Sequence, residues 1–195
     1  MKNLAKLLES QRRIRVLGLD DSHSAKVKGS VVNVAGVVCI DTRFEGMLWN
    51  ELSYHGLDAT DRMYQMVVGS KFAPLLHLIL TDGISFGGSN IVELPVLAKQ
   101  LKVPVVAVMR KYPNLEHFRY VLNQLSEPEE RWRRVRAAGA IHQIDGWVFQ
   151  CVGEDPAIVA QTLTRLTDRG KVPEALRLAH LIGAAIKFGE STKRA

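Results

Sequence analysis

Carboxylates stand where this chain passes between apolar runs and loops. The run R-I-R-V-L-G-L-D-D closes on Asp20 and Asp21, and L-L-H-L-I-L-T-D-G closes on Asp82. Asp58 and Asp61 open a predicted helix between those runs, and His180 lies in the late helical segment P-E-A-L-R-L-A-H-L-I-G-A-A-I. Carboxylates at the ends of neighbouring strands of one sheet converge on a small volume. Like charges held that close repel, and such a cluster usually persists because a divalent cation neutralises it. The chemistry expected of these residues is phosphoryl transfer at a Mg²⁺ or Mn²⁺ site.

The elements that must position them follow from apolar periodicity. Strands are predicted over Arg13–Asp20, near Val31–Asp41 and near Gly46–Tyr54, joined by the linkers A-K-V-K-G-S and D-T-R-F-E-G. Linkers this short make antiparallel hairpins, because a parallel crossover takes about a dozen residues or more. The pattern then changes. Asp58 is a suitable N-cap for a helix whose Met63, Met66 and Val67 form an apolar stripe, with Gly69 at its end. A fourth strand, Leu75–Asp82, leads into the loop G-I-S-F-G-G-S-N, a helix near Ile91–Leu101 and a fifth strand, V-P-V-V-A-V-M-R. Apolar strands separated by helices read as parallel βαβ units. The expectation is therefore an α/β fold with a mixed five-stranded sheet, three antiparallel strands followed by βαβ units, and helices packed on it. That is the layout of the ribonuclease H-like fold. Downstream, L-E-H-F-R-Y-V-L-N-Q-L is predicted helical, and E-P-E-E-R-W-R-R-V-R-A-A-G is a charged helix stopped by Gly139. I-H-Q-I-D-G-W-V-F-Q-C-V reads as a hairpin turning at Asp145-Gly146, followed by two more helices and a frayed tail.

Bulk properties narrow the class. A chain of 195 residues supports one sizeable core and is short for two, so residues 1–195 are read as a single domain that starts with a short amphipathic helix. The longest apolar runs fall far short of the roughly 20 residues of a membrane span. The N-terminus carries a charge every few residues, unlike a secretory signal. Cys39 and Cys151 lie inside predicted strands, where a small buried hydrophobe is expected rather than a ligand or disulfide partner. These features point to a cytoplasmic protein. A net charge of +6 favours polyanionic partners, nucleic acid first among them.

Several residues carry two readings. Adjacent strand residues point to opposite faces, so with Asp20 at the site Asp21 is expected to cap the S-H-S turn. His23 could ligate or simply sit in an exposed loop. The loop G-I-S-F-G-G-S-N brings glycines that let backbone N–H groups approach an anion, yet it lacks either standard phosphate-loop spacing. Its Phe86 could stack on a base or plug the loop into the core. The densest basic patch, R-W-R-R-V-R, places Arg131, Arg133 and Arg134 around Trp132, a combination suited to single-stranded nucleic acid. Glu129 and Glu130 lie within one helical turn of these arginines and could instead pair with them.

Five segments in order, L-G-L-D-D, G-L-D-A-T, L-I-L-T-D-G-I-S-F-G-G-S-N, V-P-V-V-A-V-M-R-K and V-P-E-A-L-R-L-A-H, resemble an uncharacterised family, the ninety-ninth domain of unknown function, that is related to endonuclease V. The resemblance runs from about Arg13 to Ile186. It implies a metal-dependent nucleic-acid phosphodiesterase. Asp20 in G-L-D, Asp82 in T-D-G and His180 in P-E-A-L-R-L-A-H match endonuclease V site positions, and Asp58 or Asp61 takes the place of its glutamate. Arg110, followed by Lys111, stands where endonuclease V has a lysine. The P-Y-I-P wedge is replaced by residues E-L-S-Y-H-G-L-D, and H-P-R-R by F-G-G-S-N.

On this resemblance Asp20 and Asp82 would share one metal, and Asp58 or Asp61 would contribute to a second. His180 would position water or shuttle a proton. Arg177, one turn before His180, would hold a phosphate. Two other functions fit the same fold: a nucleic-acid or partner-binding protein without turnover, and a hydrolase of small phosphorylated metabolites.

Overall fold

Residues Val16, Leu17 and Leu19 are all fully buried, the pattern of a strand covered on both faces. The computed structural model describes residues 4–23, 27 and 30–191. It contains α1 (Leu4–Glu9), β1 (Arg15–His23), β2 (Val31–Ile40), β3 (Arg43–Ser53), α2 (Ala59–Val68), β4 (Leu78–Asp82), β5 (Ser85–Phe86), β6 (Asn90–Ile91) and α3 (Leu94–Leu101). There follow β7 (Val105–Met109), α4 (Leu115–Leu122), α5 (Pro128–Ala137), β8 (His142–Ile144), β9 (Trp147–Val152), α6 (Pro156–Arg165) and α7 (Glu174–Phe188).

The main sheet has the order β3-β2-β1-β4-β7-β9-β8. The five expected strands are its first five, with β1, β4 and β7 parallel and the β1–β2–β3 meander antiparallel. The expected five-stranded sheet is extended to seven because the β8–β9 hairpin pairs antiparallel with β7. That hairpin turns where the sequence predicts, with φ of 49° at Asp145 and 80° at Gly146, the pair of positive angles a two-residue turn between twisted strands requires. The expected start of β4 at Leu75 is too early: Ala73–Leu75 form a 3₁₀ turn and the strand begins at Leu78. Most of the A-K-V-K-G-S linker, and the end of the tail beyond residue 191, lie outside the described residues. No helix among the described residues is long and apolar enough to cross a membrane.

Strand alternation divides the interior into two cores. Leu17 and Leu19 of β1 join residues of α2, α3, α4 and α5 on one face. Val16, with Leu78 and Leu80 of β4 and Val106 and Val108 of β7, joins α1, α6 and α7 on the other. The period of two then fixes the polar residues at the strand ends. Asp20, Asp82 and Arg110 share parity with the α7-facing set, and Asp21 faces the α2–α5 side.

Two glycines set the depth of α7. A Cβ on Gly18 would lie 2.5 Å from the Ala175 carbonyl carbon and 2.6 Å from the Leu176 nitrogen. One on Gly183 would lie 3.0 Å from the Ser22 Cβ. The helix therefore runs alongside β1 at backbone contact, and its middle residue His180 falls between these two anchor points.

Candidate active site

The central contact is between His180 and Asp20. His180 Nδ1 lies 2.8 Å from Asp20 Oδ2, and the other carboxylate oxygen of Asp20 accepts the Asp21 backbone N–H at 2.8 Å. Asp20 is 6% exposed, whereas the His180 side chain keeps 32% of its surface accessible. Hydrogen bonding to Asp20 raises the pKa of His180 above its ordinary value, against the opposing effects of burial and Arg110.

Asp82 is the second carboxylate. The β1–β4 register runs Val16↔Leu78 to Leu19↔Thr81, so the next residues along the two strands are Asp20 and Asp82. Burial, reinforced by the charge of Asp20, pushes the Asp82 pKa up to about 6, with Arg110 and His180 pulling the other way and Asp21 adding to the rise. No described residue donates a hydrogen bond to its carboxylate. A half-buried acid without donors from described residues and beside a like charge is in an unfavourable setting that a cation would relieve.

Asp20 and Asp21 do not end their strand, as the apolar run suggests. β1 continues to His23 because β2 goes on pairing with it, Asp20 with Ala35 and Asp21 with Val34, after the parallel partner β4 has stopped. The S-H-S turn that Asp21 is expected to cap runs into residues outside the described ones. Asp21 Oδ2 accepts the Gly87 N–H at 2.9 Å and ties down the glycine-rich loop, which is itself the small β5–β6 ribbon. Phe86 is fully buried, so it plugs that loop into the core and is not available to stack on a base.

Asp58, the expected contributor to a second metal, sits in a hydrogen-bond network of its own. Its carboxylate accepts from Ser53 N–H at 3.2 Å, Ser53 hydroxyl at 3.2 Å, Asn90 Nδ2 at 2.7 Å and Arg62 Nε at 3.4 Å. Burial pushes its pKa up, but these donors outweigh burial and hold it below the ordinary value. The sequence reading missed Asn90, fully buried, which also accepts the Ala59 N–H at 3.0 Å and so caps α2 in place of Asp58. Asp61 is exposed on the first turn of α2.

The basic residues separate as sharply. Arg131 is 1% exposed and cannot meet nucleic acid. Its guanidinium donates to the carbonyls of Ser126, Gly56, Ser89 and His55 at 2.6–2.9 Å, joining the start of α5 to two loops. Arg133 and Arg134 pair with Glu130 at 2.7 and 2.8 Å and also with Glu93, so their face of α5 is the salt-bridged one. Arg177 is engaged by the buried Glu174 through two contacts of 2.6 and 2.8 Å. Arg110 is exposed and acts electrostatically on both Asp82 and His180. Lys111 is exposed beside it.

Among the described residues no group of three or more His, Cys, Asp or Glu side chains is disposed to hold a metal ion by itself. Mg²⁺, however, commonly takes only one or two carboxylates and completes its shell with water and substrate phosphate. Asp20 and Asp82 match that donor set.

Comparison with known proteins gives the chain a family. Residues 12–187 match the model of the family described as endonuclease dU. The chain belongs to the endonuclease dU family. A UPF0215 protein of Methanopyrus kandleri is 34% identical over 196 residues, covering 97% of this chain and 100% of that one. A solved protein of unknown function from Archaeoglobus fulgidus superposes with a TM-score of 0.86 at 35% identity, covering 90% of this chain and 99% of that chain. Endonuclease V of Ciona intestinalis, in complex with a 24mer DNA containing an inosine followed by a ribo-adenosine, shares the fold, with a TM-score of 0.53 at 14% identity over 87% of this chain and 83% of that chain. The endonuclease dU family is thus related in structure to endonuclease V, as the five sequence segments imply, and the sheet is of the ribonuclease H-like kind.

Proposed function

We propose that this protein is a divalent-metal-dependent endonuclease that cuts a nucleic-acid strand at deoxyuridine. The observation that carries the reading is Asp82, a half-buried carboxyl that no described group hydrogen-bonds, next to Asp20 at the adjoining strand end. A fold stabilised by such a pair alone would be hard to account for, whereas a phosphate-bound cation gives both charges a purpose. The family name, endonuclease dU, supports strand cutting as the reaction and deoxyuridine as the base.

Asp20 and Asp82 would hold Mg²⁺ or Mn²⁺. When bound, the cation would polarise the scissile phosphate and make its bound water more acidic. Asp20 would fix the His180 ring through Nδ1, and a neutral ring that donates there carries its basic nitrogen at Nε2. In that form Nε2 accepts the proton of the attacking water. In the protonated form, which the raised pKa favours, it returns a proton to the leaving oxygen. Arg110 supplies positive charge at the same strand end, where a phosphate would sit. Asp58, Arg131 and Arg177 have no part in the chemistry, being committed elsewhere.

The test is cleavage of an end-labelled oligonucleotide with one deoxyuridine, with Mg²⁺, with Mn²⁺ and with a chelator. Cutting at one position near the deoxyuridine, dependent on metal and lost in Asp82→Asn, is the expected result. No cutting of this substrate under any metal condition would remove the reading.

A further inference from the structure

On the α2–α5 face of the sheet lies a cavity of about 260 Å³ whose wall includes Ile84, Met109, Phe118 and Trp132. It borders the carboxylate site through the strand ends: Ile84 follows Asp82 by two residues, a span of at most about 7 Å, and Met109 precedes Arg110. Between Asp82 and Ile84 stands Gly83, at φ +70°, where a Cβ would meet nothing within 4 Å. A nucleotide whose phosphate lay at Asp82 would have open ground over Gly83 towards the cavity.

Two polar side chains line it, Gln150 and Arg136. Gln150 is 4% exposed, so its amide is built into the interior. Its Nε2 donates to the Gly139 carbonyl at 2.8 Å, which fixes the orientation of the amide, since the nitrogen must face that acceptor. The Oε1 is therefore an oriented acceptor, and no described residue donates to it. Arg136, exposed on the last turn of α5, makes no side-chain hydrogen bond or ion pair with any described residue. Its neighbours Arg131, Arg133 and Arg134 are all engaged. An apolar, aromatic-walled cavity with one fixed acceptor and one uncommitted donor is suited to a flat heterocycle with an N–H beside a carbonyl.

Deamination makes that edge. Cytosine offers a ring nitrogen lone pair at N3 and an exocyclic amine, and uracil offers N3–H and a carbonyl. The same change converts the N1 lone pair of adenine into the N1–H of hypoxanthine. A fixed amide oxygen accepts from the lactam N–H and repels the lone pair of the parent base, and the guanidinium donates to the carbonyl. We infer that this cavity receives a nucleobase turned out of the strand and reads its lactam edge through Gln150 Oε1 and Arg136. Phe118 and Trp132 supply its aromatic wall. The inference rests on the proposed strand-cutting function and assigns its base-reading site. Thymine presents the same edge, so Gln150 sorts uracil from cytosine and not from thymine.

The test is fluorescence-anisotropy binding, in chelator, of labelled thymine-free single strands carrying deoxyuridine, deoxyinosine, deoxycytidine or deoxyadenosine at one position. The wild type is expected to favour deoxyuridine over deoxycytidine by about tenfold or more. Gln150→Leu, which matches the side chain in size, should reduce that preference to about threefold or less while leaving the deoxycytidine strand bound as before. A parallel gain for deoxyinosine over deoxyadenosine would identify any lactam base as ligand, and its absence would identify uracil alone. Leu115 is 37% exposed on the cavity wall, so Leu115→Trp blocks the cavity without entering the core and should abolish the preference even if Gln150→Leu folds poorly. A wild-type preference that persists in folded Gln150→Leu, or in Leu115→Trp, overturns the assignment while leaving strand cleavage intact. Absence of any deoxyuridine preference in the wild type, in binding and in cleavage alike, overturns the functional reading and this inference with it.

Discussion

Replacing Asp82 with asparagine should make the metal-free protein more stable. Asp82 has its pKa raised from 3.8 to about 6. Each pKa unit corresponds to about 1.4 kcal/mol of differential interaction, so ionising this group in the folded state costs about 3 kcal/mol relative to the unfolded chain. The sign follows from proton binding. Between pH 3.8 and about 6 the folded state holds this proton and the unfolded state releases it. Stability is then greatest below the unfolded value, falls as pH rises through the window, and stays reduced above it. Asparagine has nearly the same shape and never ionises, and no hydrogen bond from a described residue to Asp82 is lost in the exchange. Urea unfolding of wild type and Asp82→Asn in chelator should give equal stabilities near pH 4. A gap opening to about 3 kcal/mol in favour of the variant is expected by pH 7. His180, titrating in both proteins, largely cancels in the difference. Saturating Mn²⁺ should reverse the order, because only the wild type gains binding free energy. A difference that stays flat from pH 4 to pH 8, or a variant less stable throughout, would refute the claim that Asp82 is held in an unfavourable charged setting.

Three further outcomes follow from the geometry. Gly18→Ala would press a methyl against the α7 backbone; a loss of about 1–3 kcal/mol in urea unfolding is expected, together with a His180 pKa falling back towards its ordinary value. The imidazole proton resonances of His180 should titrate above the ordinary histidine range in the wild type and lower in Asp20→Asn. The stabilisation from the pair is present below the unfolded histidine value and disappears as pH rises through the raised one. Arg131→Met should leave four backbone carbonyls without their donor and cost about 3–5 kcal/mol on thermal or urea unfolding, with no change in the salt dependence of nucleic-acid binding.

The sequence made the central frame legible because period-two alternation and short linkers determine strand direction, and strand direction puts Asp20 beside Asp82. The segment P-E-A-L-R-L-A-H located His180, although its contact with Asp20 depends on Gly18 and Gly183, whose meaning emerges only once α7 is laid along β1. The Ser53–Asn90–Arg62 network around Asp58 was not legible, because an aspartate before a helix looks the same whatever its side chain meets. The arginine cluster was opaque for a related reason: one helix sends Arg131 inward, Arg133 and Arg134 into ion pairs, and Arg136 to the cavity. Charge density in a sequence does not distinguish those destinations. The extra two strands escaped because a local hairpin carries no signal for which sheet edge it joins.

The central claim is that the Asp20–Asp82 pair is the metal centre on which strand cleavage depends. A calorimetric Mn²⁺ titration of the wild type, Asp20→Ala and Asp82→Ala, each checked for folding by circular dichroism, tests it most directly. Saturable binding by the wild type that both substitutions abolish is the expected result. Saturable binding that survives both substitutions unchanged would contradict the account, whatever the protein does to nucleic acid.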